Sequence, residues 1–121
     1  MEYSISTRKY GTLIRISGRI LSMADSRELM QEFSELIAEG KHHFIVDLKD
    51  TEYVNSEGLN VLIKILTQSR NAGGETILCH INKHLKELFI ITKLSSIFTL
   101  TETIKEAEEL LEKNMECAED A

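Results

Sequence analysis

Residues 44–66, FIVDLKDTEYVNSEGLNVLIKIL, hold the transition that decides the fold. The segment His43-Phe-Ile-Val-Asp-Leu48 is short and nearly all apolar, which suits a central strand covered on both faces. From Ser56 the period changes. Leu59, Leu62, Ile63 and Leu66 recur at i, i+3, i+4 and i+7, one face of an amphipathic helix that stops at Ala72-Gly73-Gly74. A buried strand leading into a long helix is the building unit of an α/β sheet.

The flanks extend the pattern. Residues 3–8 and 12–17 predict two strands around Lys9-Tyr10-Gly11, close enough to pair as a hairpin. Leu29, Met30, Phe33, Leu36 and Ile37 share a helical face, with Asp25 or Ser26 placed to cap its start and Gly40 to close it. Beyond the central unit, Thr76-Ile-Leu-Cys-His80 predicts a strand and Asn82 caps a short helix carrying Leu85, Leu88 and Phe89. Ile97-Phe-Thr-Leu100 predicts a last strand, and Ile104, Ala107, Leu110 and Leu111 a final helix with Glu102 and Glu106 near its positive end. The order ββαβαβαβα predicts one α/β domain, a mixed and mostly parallel sheet flanked by helices, over residues 1–114, followed by a polar C-terminal tail, 115–121. Period alone leaves open whether the helices cover one face or both.

Composition narrows the function. A chain of 121 residues fits one domain able to bury a core without staples. The formal charge of −6 argues against gripping nucleic acid or an anionic membrane through bulk electrostatics. Cys79 and Cys117 stand far apart in unlike settings, so no disulfide framework is expected and a reducing compartment is favoured. The N-terminal MEYSISTRKY lacks the apolar stretch of a signal peptide, and no apolar run reaches membrane-spanning length, so a cytoplasmic protein is expected.

Ser56 is the residue with two readings. The first turn of a helix leaves backbone N–H groups without partners and carries a partial positive charge, so it welcomes an anion. The serine can be an ordinary N-cap worth about 1 kcal/mol. It can equally be a phosphorylation site, where about two negative charges and three acceptor oxygens would rewrite the surface and leave the fold intact. Asn55 can itself serve as the cap, which frees the Ser56 hydroxyl to point outward. Gly58 leaves the backbone open to close approach, by another molecule or by internal packing. Glu57 suits the helix dipole but repels a phosphate on its neighbour.

The run from Phe44 to Leu62 resembles the signature of the STAS domain of bacterial anti-sigma factor antagonists, in which an apolar strand ending in Asp-Leu precedes a turn, Asp-Ser-Ser-Gly-Leu and a long helix. The resemblance in order and spacing covers nearly the whole chain, though only residues 44–66 carry a specific motif. It implies a protein without catalytic activity or cofactor that occupies an anti-sigma factor acting as a serine kinase. The kinase would phosphorylate the serine and break the complex, and a phosphatase of the PP2C type would reset it. By position, Ser56 matches the phosphorylated serine, Asn55 the preceding aspartate, Glu57 the second serine, and Gly58 and Leu59 the Gly-Leu pair. Two departures bear on partner choice: the acidic charge moves from before the serine to after it, and the family's Gly-Glu-Leu-Asp loop is here Gly18-Arg-Ile-Leu21. The partner surface expected on this basis is Asn55, Ser56, Glu57, Gly58, Asn60 and Lys64, with Leu21, Ser22, Met23 and Asp25 beside them. An alternative role within the family is a constitutive adaptor subunit of a lipid-transport ABC complex, which needs no kinase.

Other groupings carry less. Cys79, His80 and His84 span a strand and a helix start without an evident convergence, so no metal site is expected, and Cys79 fits a small core residue. Gly73-Gly74 lacks the Lys-Ser/Thr of a phosphate loop. The glutamates of the last helix fit a solvated face.

Overall fold

In the computed structural model, which describes residues 1–120 and side chains through Lys113, a mixed sheet is sandwiched between helices. Strands β1 (Glu2–Arg8) and β2 (Gly11–Ile20) form the antiparallel hairpin, and β3 (His43–Asp47), β5 (Glu75–Cys79) and β6 (Thr99–Thr101) extend it in parallel. The order is β1-β2-β3-β5-β6, with β4 (Thr51–Val54) pairing with β2 off this path. Among the described residues, four α-helices connect or follow the strands: α1 (Arg27–Ala38), α2 (Ser56–Asn71), α3 (Lys83–Ile91) and α4 (Ile104–Asp120). The last of these runs through most of the stretch that composition sets aside as a tail, and Ala121 lies outside the described residues.

Both faces of the sheet are covered, because its central strands alternate two sets of apolar side chains. Ile14, Phe44, Val46 and Leu78 point to the side of α1, α2 and α3, where they pack with Leu29, Phe33, Leu62, Ile65 and Phe89. Leu13, Ile45, Ile77 and Cys79 point to the other side, against Ala107 and Leu111 of α4. A strand buried on both faces has no polar alternation to show, which explains the continuous apolar run at 44–46. Helices α1 and α2 end alike: Gly40 and Gly73, at φ +96° and +90°, each follow the last turn in the left-handed conformation. The paired bonds Gly40 N to Ile37 O and Lys41 N to Leu36 O, and Gly73 N to Arg70 O and Gly74 N to Ser69 O, satisfy the terminal carbonyls.

The structure departs from the sequence-based order in one added strand and one shifted one. β2 continues past Ser17 through an irregularity at Gly18, φ +83°, and its far end, Gly18 to Ile20, pairs in parallel with β4. The buried Thr51 fixes that pairing by donating its hydroxyl to the Ile16 carbonyl at 2.8 Å. At the other end of the chain, a 3-10 turn over Leu94–Ser96 occupies the approach to β6. The expected strand at Ile97–Leu100 therefore begins at Thr99, with Phe98 buried beside Phe89 instead of paired in the sheet.

Candidate functional site

β4 places the start of α2. Val54, the last residue of β4, lies opposite Ile20, and the Asn55 N–H donates to the Ile20 carbonyl at 3.3 Å. Asn55 is in extended conformation, φ −94° and ψ −174°, and its side-chain oxygen accepts the Gly58 N–H at 2.8 Å. Asn55 is thus the N-cap and Ser56 the first helical residue, exposed to solvent. Replacing Asn55 by alanine removes the cap and should cost about 1 kcal/mol of stability, read in urea melts, with the exposed Ser56 unable to substitute without shifting the helix start by one residue. A variant as stable as wild type would show that another group satisfies the Gly58 amide.

Ser56, Asn60, Lys64 and Glu57 are all exposed, and at about 100° per residue they fall within roughly a 100° arc of the helix. They form one face. The segment Leu21 to Asp25 leaves β2 directly beside Asn55, so it borders the same edge. Asp25 is exposed there, whereas Leu21, Ser22 and Met23 are half-buried, with the Ser22 hydroxyl oxygen accepting the Asp25 N–H at 3.2 Å and Met23 packed against the core.

Gly58 has a different part from that of an open approach for another molecule. It is buried, and a Cβ placed on it would collide with the Ile20 carbonyl oxygen and approach Val54 Cγ1 to 2.9 Å. The space beside Gly58 belongs to this chain, so the glycine serves the packing of α2 against β2 and β4.

Sequence reasoning did not single out the aromatic group beside this face. Tyr53, two residues before the cap, is 40 % exposed. Its ring stacks on His84 with centroids 5.4 Å apart, and the Arg19 guanidinium lies 5.9 Å from the Tyr53 centroid. An aromatic directly after Glu52 and three residues before Ser56 was the one local signal available; Arg19 and His84 reach it only through the β2–β4 pairing and the α3 cap. That cap, Asn82, accepts the Leu85 N–H at 2.8 Å and donates to the Thr51 carbonyl at 3.2 Å, tying α3 to β4.

The residues weighed as possible metal ligands sort differently from their sequence spacing. His84 is engaged with Tyr53, while Asp47 joins Cys79 and His80, with potential ligand atoms of all three within 4.8 Å of one another. Asp47 is buried, accepts the Lys49 N–H at 3.0 Å, pairs with Arg15 Nε at 3.2 Å and lies 2.8 Å from His80 Nδ1. Burial, with the Asp47 carboxylate next, pushes the Cys79 thiol up to about 12, so it is protonated at neutral pH.

Residues 4–107 match the STAS domain. The chain belongs to the STAS domain family. BtrV of Bordetella bronchiseptica, a relative described as an anti-sigma factor antagonist, is 31 % identical over 88 residues, covering 73 % of this chain and 76 % of BtrV. This STAS domain also superposes on a crystal structure described as an anti-sigma factor antagonist from Thermotoga maritima. That match has a TM-score of 0.80 at 21 % identity and covers 91 % of this chain and 94 % of the other. The Bacillus cell fate determinant SpoIIAA in its phosphorylated form shares the fold at a TM-score of 0.71 and 16 % identity, covering 91 % of this chain and 99 % of that one. Among the described residues, no helix of this STAS domain is long and apolar enough to cross a membrane.

Proposed function

We propose that this STAS domain protein is an anti-sigma factor antagonist that works by reversible occupation of a partner. In its unmodified form the face around Ser56 docks on an anti-sigma factor that is also a serine kinase. Phosphorylation of Ser56 breaks the complex, and a PP2C-type phosphatase restores it. No chemistry of its own is required of the chain.

The observation that carries this reading is the division of labour at the start of α2. Asn55 takes the capping role, which leaves the exposed Ser56 without a structural duty. A phosphate there sits on the positive end of a 16-residue helix and leaves the cap bond untouched. The relationship to BtrV and the existence of a phosphorylated form of SpoIIAA add support from outside the chain. Glu57 lies next in the same turn and opposes the added charge, so the phosphate is held less firmly than a neutral neighbour would allow.

The experiment is the intact mass of the protein isolated from its own cells, before and after phosphatase treatment, followed by mapping of the modified peptide. One phosphate on Ser56 is the expected result. Protein that stays unmodified across growth conditions, and that co-purifies with a membrane permease or ATPase, would instead place the chain with the constitutive adaptors.

A further inference from the structure

The row Arg15, Asp47, Cys79 and Thr101 crosses the sheet in register, each residue opposite the next. Asp47 and Cys79 thereby come from adjacent parallel strands at their carboxyl ends, and His80 follows Cys79 in the left-handed conformation, φ +57°. That turn is unusual for a residue other than glycine, and here it coincides with the imidazole reaching Asp47 at 2.8 Å. The connection after β5 leads into α3 on one face of the sheet, while the connection after β6 leads into α4 on the other. Connections that diverge from neighbouring strands open a crevice at their carboxyl ends, where α/β sheets bind ligands. A cavity of about 710 Å³ lies at that place, lined by His80, Lys86, Thr101 and Glu106 among others.

We propose that Asp47, Cys79 and His80 form a binding site for a divalent transition metal of the zinc type, with solvent reaching the ion as a fourth ligand past His80, the one of the three that lines the crevice. Thiolate, imidazole and carboxylate are the three donor types that zinc accepts, and three protein ligands with one open position is the arrangement of its non-structural sites. Tetrahedral coordination with bonds of about 2.0–2.3 Å puts ligand atoms roughly 3.3–3.8 Å apart, so the Asp47–His80 hydrogen bond, at 2.8 Å, opens by about 0.5 Å as the ion enters, and no pair of the set, all within 4.8 Å, need close by more than about 1–1.5 Å. The charges balance. The metal displaces the Cys79 proton to water, and the 2+ ion then meets one thiolate, one carboxylate and a neutral imidazole. Arg15 is the resident competitor: it neutralises Asp47, yet its side chain is 59 % exposed and can swing out to solvent. His84, which sequence spacing brings to mind, is no part of the set. The site is separate from the Ser56 face and stands whether or not Ser56 is phosphorylated.

The test uses the full chain carrying Cys117→Ser, so that Cys79 is its only thiol, titrated with Co²⁺ and then with Zn²⁺ as competitor. One Co²⁺ should bind with a thiolate-to-metal charge-transfer band, and Zn²⁺ should abolish it. His80→Gln should weaken binding by on the order of 100-fold, and Arg15→Gln should tighten it severalfold, up to about fivefold. The gain in Arg15→Gln is a readout that misfolding cannot imitate. Absence of the thiolate band, or affinity indifferent to both substitutions, overturns the proposal.

Discussion

Ser56→Asp is expected to weaken binding to the kinase partner by about a hundredfold or more in a calorimetric titration, with Ser56→Ala binding as wild type does. An interface that closes over a neutral hydroxyl has no replacement for the hydration of an ion, and stranding that ion costs several kcal/mol. At about 1.4 kcal/mol per tenfold, the loss reaches two decades or more. The fold is a separate readout and should not move. Ser56 is exposed, the cap bond belongs to Asn55, and an acidic residue in the first turn interacts favourably with the helix dipole. Melting temperatures of the three proteins should therefore agree closely while their affinities diverge, with Ser56→Ala also refusing phosphate when mixed with kinase and ATP. Equal affinity of Ser56→Asp and wild type would refute a charge switch at this face and leave Ser56 an exposed helix residue without a regulatory part.

The contrast between what the sequence carried and what it concealed follows sequence distance. Helix α2, its cap at Asn55 and its stop at Gly73 are local, set by period and terminus chemistry within a few residues. So is the exposure of the face at Ser56, Asn60 and Lys64. The strand Thr51–Val54 was hidden because four residues with two exposed positions show too little alternation, and its partner is the end of β2, more than 30 residues earlier. The same pairing decides that Gly58 faces the Ile20 carbonyl and that Arg19 reaches Tyr53. Asp47 and His80 are likewise 33 residues apart, joined only by the parallel register of β3 and β5. The turn after α3 shows the local rule bending: Lys93 takes the left-handed position, φ +63°, that glycine holds after α1 and α2. With no glycine to mark it, the boundary before β6 was displaced.

Gly58→Ala should be the most destabilising single-methyl substitution near the site, costing about 3 kcal/mol or more. An ordinary overpacked core yields by rotating a side chain. Here the added Cβ meets a backbone carbonyl, that of Ile20, and Val54 Cγ1 at 2.9 Å. Moving Ile20 is resisted on two sides, since its carbonyl accepts the Asn55 N–H and its strand is paired with Val54. Relief requires the first turn of α2 to lift away from β2, which also breaks the register of the Asn55 cap and displaces Ser56. A second substitution separates steric cost from backbone strain. Gly73 has φ +90° but nothing within 4 Å of an added Cβ, so Gly73→Ala pays only the left-handed penalty, about 1 kcal/mol. Urea melts should therefore rank Gly58→Ala well below Gly73→Ala, and partner affinity should fall in the first and hold in the second. If Gly58→Ala melted with wild type, the start of α2 would not be anchored on Ile20, and the position of Ser56 would not depend on that contact.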